Sequence, residues 1–194
     1  MDFVEGFIAA AQHNTDLMAR VTDAQLEAVG PFRHWTARDL INHLIAGAEK
    51  FRAAATGDVL PNDGAPTAPR NTTDNTGGDA IAAYRAAVAA AADAFANPEL
   101  RDRTVALPTV TVPGRMVAGI AFLEQVTHGW DLAVATGQDR EIDPRFVDVL
   151  IPVAEQLLDQ AVEGVNRFVG ATSVPPDATP TVRLLVLAGR DPVG

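Results

Sequence analysis

The 194-residue chain has no cysteine. Disulfides, thiolate metal sites and a cysteine nucleophile are therefore excluded, and a cytoplasmic protein fits this composition best. No uninterrupted apolar run reaches the roughly eighteen residues of a membrane span. The N-terminus, MDFVEGFIAAAQHN, lacks the basic region of a signal peptide. Positive charge is scarce: 15 Lys and Arg stand against 25 Asp and Glu, a net charge of −10. Nucleic acid and anionic membrane surfaces, which need a basic patch, are not expected partners. No block of like charge occurs, so the acidity belongs to a solvated surface. There is no G-x-S-x-G, P-loop or dinucleotide glycine fingerprint, and no internal repeat.

What remains is a chain rich in helix signals. Hydrophobic residues make up 47%, enough for one core, and residues 1–194 read as a single domain. Residues 2–20 carry Phe3, Phe7, Ala10, Asn14, Leu17 and Met18 at helical spacing. Thr22 and Gln25 resemble a capping box. Thr36, with Asp39 three residues on, opens a helix that runs to about Thr56 and stops at Gly57. Residues 57–78 read as a long exposed loop. Asp79 caps an alanine-rich helix to about Phe95. Residues 103–113 alternate like a short hairpin or extended arm, with Pro108 near the turn. A helix from about Gly114 to Thr136 follows. Another starts at Pro144 and reaches about Val169. Thr179-Pro180 starts a short terminal helix ending at Gly189. Four substantial helices plus short extras predict an all-α bundle.

One helix stands out. MVAGIAFLEQVTHGWDLAV, from Met116 to Val134, is apolar or small almost throughout. At roughly 100° per residue, Glu124, Thr127, His128 and Asp131 share about a quarter turn, and Gln125 points elsewhere. Buried charge must be satisfied. Glu124 and His128, at i and i+4, lie over one turn and can share a metal ion. In the run DLINHLIAG, His43 lies beside the stripe of Leu40, Leu44, Gly47 and Phe51. It is the candidate for a third ligand from another helix. Two histidines and a glutamate with an open fourth position match a catalytic zinc pattern. Asp131 would then hold an imidazole N–H. The alternatives are a satisfied core histidine for His43, an i, i+3 hydrogen bond between His128 and Asp131, and a salt bridge from Asp131 to a distant arginine. His13 and His34 are assigned to the surface or to packing. Trp35 and Trp130 are read as core anchors, and Arg115 and Arg183 as surface residues.

HWTARDLINHLIAG resembles the W-T-x-R-D-L-x-N-H motif of actinobacterial proteins related to the mycothiol-dependent maleylpyruvate isomerase metal-binding domain. EQVTHGWDLAVATGQ resembles that family's second motif, and VPPDATPTVRLLVLAGRDP its C-terminal tail. The resemblance spreads over about the whole chain. It implies a DinB-like four-helix bundle with a divalent metal, usually zinc, on His43, Glu124 and His128. It further implies a small-molecule thiol such as mycothiol and an electrophilic substrate, hence a thiol-dependent transferase or isomerase, as monomer or homodimer. Two departures stand out. Relatives often have a cysteine shortly before the tryptophan, where this chain reads PFRHW. The isomerase proper carries an extra C-terminal domain for which this length leaves no room. The resemblance therefore implies the metal site more strongly than any one reaction. A metal-dependent hydrolase and a non-catalytic, metal-stabilised bundle that binds a small ligand or a protein remain the alternative readings.

Overall fold

The computed structural model describes residues 1–58, 74–107, 110–159 and 174–192. Most of the expected 57–78 loop, the Pro108 turn and the expected helix beyond residue 159 lie outside these residues. Six α-helices are described: α1 Phe3–Met18, α2 Ala37–Thr56, α3 Ala80–Phe95, α4 Val117–Thr136, α5 Pro144–Asp159 and α6 Pro180–Leu187. One antiparallel pair, β1 Thr104–Ala106 and β2 Thr111–Pro113, leads into α4, with Val105 opposite Val112.

The helix boundaries follow local chemistry. Asp2 accepts the amides of Val4 and Glu5, and Glu5 reaches back to Asp2. Thr36 and Asp39 form the same reciprocal box at the start of α2. Each such cap contributes about 1 kcal/mol. Gly57 and Gly137 close α2 and α4 in the left-handed region, at φ 83° and 67°, where a side chain would be strained.

Helices α1 to α4 form the bundle, and α5 and α6 pair with each other against it. Helix α4 runs through the middle and is buried on nearly every face. Phe7, Phe122, Leu40, Leu44 and Leu132 are fully or almost fully buried, each contributing about 1.5–3 kcal/mol. Close approach of α1 to α4 depends on small residues. A Cβ on Gly129 would sit 2.1 Å from Asn14 Oδ1, and one on Gly6 would sit 2.3 Å from the Phe122 ring.

Asn14 crosses this interface to fix α4 from behind. Its Nδ2 donates to the Gln125 backbone carbonyl at 3.0 Å and to Gln125 Oε1 at 3.0 Å. The Tyr84 hydroxyl of α3 donates to the same Oε1. Burial pushes the Tyr84 phenol up, so it keeps the proton it donates.

Gly129→Ala should lower stability by about 1–3 kcal/mol through overpacking. In an Asn14→Ala background its cost should fall by half or more, as a double-mutant cycle in urea would measure.

Candidate metal centre

Helices α2 and α4 bring His43, Glu124 and His128 together, with one ligand atom from each within 4.8 Å of the others. Glu124 Oε2 lies 3.4 Å from His43 Nε2 and 3.2 Å from His128 Nε2. Charge-assisted hydrogen bonds are shorter, about 2.7–2.9 Å. The edge of a tetrahedron built on metal bonds of about 2.05 Å is about 3.3 Å. The donor spacing therefore fits a shared ion better than it fits tight ion pairs.

The surroundings orient these donors. Asp131 is fully buried, and its Oδ2 accepts from His128 Nδ1 at 3.0 Å and from Arg190 Nη2 at 2.7 Å. A carboxylate on this side can only accept, so Nδ1 carries the proton. Nε2 is thereby turned to Glu124 as the ligating nitrogen. Arg190 is itself buried just past α6, and its guanidinium lies 4.3 Å over the Phe32 ring. Phe32 packs edge-on to His128 at 5.0 Å, and Trp35 lies 4.8 Å from His43 and 6.0 Å from His128. The turn that places these rings is unusual: Arg33 and His34 both adopt positive φ, 50° and 56°. Arg33 and His34 thus face solvent, and their neighbours face the histidines.

Electrostatics match the layout. Desolvation pushes Glu124 up, but hydrogen bonds and charge from His128 and His43 outweigh it and hold the carboxyl well below its ordinary range. Burial, with the charge of His128, lowers His43. Burial also opposes protonation of His128, yet Asp131 and Glu124 together raise it. Burial would raise Asp131, but Arg190 and His128 hold it down.

Of the residues singled out in the sequence, His43, Glu124, His128 and Asp131 converge. Thr127 does not join them, because its hydroxyl bonds back to the Leu123 carbonyl at 2.9 Å. His13 and His34 are exposed. Trp35 is a core residue that also walls the site. Trp130 instead borders a separate cavity of about 240 Å³ between α1, α4 and the start of α5, with Asn14 and Phe146. Although larger, that cavity contains none of the three converging ligands. Arg183 pairs with Glu155 at the surface, and Arg115 is exposed. Gln125 points away from this stripe, as expected: its amide oxygen accepts from Asn14 of α1 and Tyr84 of α3. The i, i+3 bond from His128 to Asp131 and the salt bridge from Asp131 to a distant arginine are both present, the arginine being Arg190; the position of that arginine and the role of Phe32 were not anticipated. The signal for Arg190 was a lone cation directly after the apolar run LLVLAG, when buried Asp131 required a cation.

A helical bundle with this histidine and carboxylate cluster is of the DinB-like class. A model of the mycothiol maleylpyruvate isomerase N-terminal domain family matches residues 7–133, and the chain belongs to that family. Two uncharacterized proteins from two strains of Mycobacterium tuberculosis are each 31% identical over 175 residues, covering 90% of both chains. The fold resembles a crystal structure of a point mutant of the mycothiol-dependent maleylpyruvate isomerase, with TM-score 0.60 and 16% identity. That match covers 78% of this chain and 66% of the other.

Removing Asp131 leaves Arg190 buried without its carboxylate. Asp131→Ala should cost about 3–5 kcal/mol, read by urea unfolding of metal-free protein. The depressed Asp131 pKa gives a stability contribution present above about pH 4 and lost as pH falls. The raised His128 pKa gives one present below about pH 6.5 and lost as pH rises through the folded value. Asp131→Ala should flatten both limbs of the stability–pH curve.

Proposed function

We propose that the chain holds one divalent ion, zinc by the chemistry of its donors, on His43 Nε2, His128 Nε2 and a Glu124 oxygen. We further propose that it serves a thiol-dependent transfer or isomerisation, with a low-molecular-weight thiol such as mycothiol and an electrophilic substrate. The observation that carries the reading is the convergence of three donors from two helices within 4.8 Å of one another, with Glu124 Oε2 3.4 and 3.2 Å from the two imidazole nitrogens. Membership of a family named for a mycothiol-dependent isomerase supports the thiol. A bound divalent ion would favour the thiolate form of a thiol placed beside it.

The chain's own residues prepare the site. Asp131 fixes the His128 tautomer, and Arg190 keeps Asp131 ionised. Phe32 and Trp35 shield the imidazoles from water. Glu124, whose side chain is 40% exposed, faces the open side from which ligands enter. Two positive charges against one carboxylate leave the loaded site positive, which suits a bound thiolate.

Three outcomes test the reading. Protein purified without added metal should carry near-stoichiometric divalent ion, and His43→Ala should lose most of it. Full retention in that variant contradicts the three-ligand set. Chelation should lower the melting temperature but keep the helical circular dichroism, because the apolar core stands without the ion. Zinc should also displace the proton that His128 shares with Glu124. Calorimetry in buffers of differing ionisation heat should show proton release on zinc binding that diminishes as pH rises, because the metal-free His128 holds its proton more tightly than an ordinary imidazole.

A further inference from the structure

The cavity of about 240 Å³ between α1, α4 and the start of α5 shares no lining residue with the cleft at His43, Glu124 and His128. Its walls include Gly129 and Asn14, the latter only 1% exposed. The orientation of the Asn14 amide is determined by its neighbours. Its nitrogen reaches the Gln125 backbone carbonyl, which can only accept, so Nδ2 is the donor; it also reaches Gln125 Oε1 and the Tyr84 hydroxyl. The amide oxygen is therefore turned from that network and lies against Gly129, where a Cβ would collide with it. Among the described residues Oδ1 accepts no hydrogen bond. Trp130, 6% exposed, borders the same cavity, and its indole N–H has no hydrogen-bond partner among them either. Buried polar groups normally find partners, and leaving an acceptor and a donor unmet is costly.

We propose that this cavity is a second binding site, for a small neutral molecule with one ring and a hydroxyl group, a phenol in chemical class. The hydroxyl donates to Asn14 Oδ1, and its oxygen accepts from the Trp130 indole. One group thus meets both needs. The size fits, since a cavity of about 150 Å³ takes up benzene and the space here is larger. Val126, Phe146 and the Trp130 ring supply apolar and aromatic surface for the ring of the ligand. The mouth carries Asp139, Glu141 and Asp143 against Arg140 and Arg145, and Arg145 is already paired with Asp143. Interleaved charges of both signs give no field that would select an anion or a cation, which leaves a neutral occupant.

The test titrates phenol and toluene separately into isotope-labelled full-length protein and follows the Trp130 indole and Gly129 amide resonances by NMR. Toluene has nearly the shape of phenol and is more apolar, but it lacks the hydroxyl. Phenol should shift both resonances saturably and bind at least roughly tenfold more tightly than toluene. Ala9 lies on the partly exposed edge of the cavity. Ala9→Leu fills the space and should weaken phenol by roughly tenfold or more, with the spectrum still that of a folded protein. Phenol affinity should be the same with and without added zinc, because the cavity is separate from the cluster. Absence of a saturable shift overturns the proposal. So does toluene binding as tightly as phenol, since a merely apolar void would rank toluene first; this comparison needs no variant and decides the matter even where Ala9→Leu does not fold. Full phenol affinity in folded Ala9→Leu, or affinity that depends on zinc, places the ligand elsewhere and overturns it too.

Discussion

The site depends on one buried carboxylate. Asp131 has no solvent exposure and remains ionised because Arg190 and His128 both donate to it. An isolated carboxylate in such a place would neutralise or unfold its surroundings. The pairing has two structural consequences. It ties the segment after α6 to the centre of α4, across 59 residues of sequence. It also protonates His128 at Nδ1, so the nitrogen facing Glu124 is the one with a lone pair to offer.

The rest of the frame keeps that geometry rigid. Helix α4 is held on one side by glycines that let α1 approach, and on another by the Asn14–Gln125–Tyr84 network. Arg190 is sandwiched between Asp131 and the Phe32 ring, and Phe32 in turn touches His128 and Trp35. Thus the two histidines sit in an aromatic and guanidinium enclosure while Glu124 stays partly open. The arrangement closes the protein side of the site and leaves the ligand side accessible.

Much of this was legible before the structure. Helix starts were marked by Asp79, Thr179 and the Thr36–Asp39 pair, and ends by Gly57 and Gly137, because capping chemistry is local. The clustering of His43, Glu124 and His128 was legible because i, i+4 spacing and an apolar stripe are periodic features. Arg190 was not, since no local rule pairs it with an aspartate so far away. Phe32 was missed because the left-handed conformation of Arg33 and His34, neither of them glycine, reverses the chain where composition gave no sign of it. That Gln125 leaves the polar stripe was legible from the helical period, although its partners Asn14 and Tyr84, on other helices, were not.

X-ray absorption of the zinc-loaded protein, with and without added thiol, tests the central claim most directly. The account predicts two imidazole nitrogens and carboxylate oxygen at about 2.0–2.2 Å, and a new sulfur at about 2.3 Å once thiol is added. A shell without imidazole, or one that takes up no sulfur at saturating thiol, would contradict it.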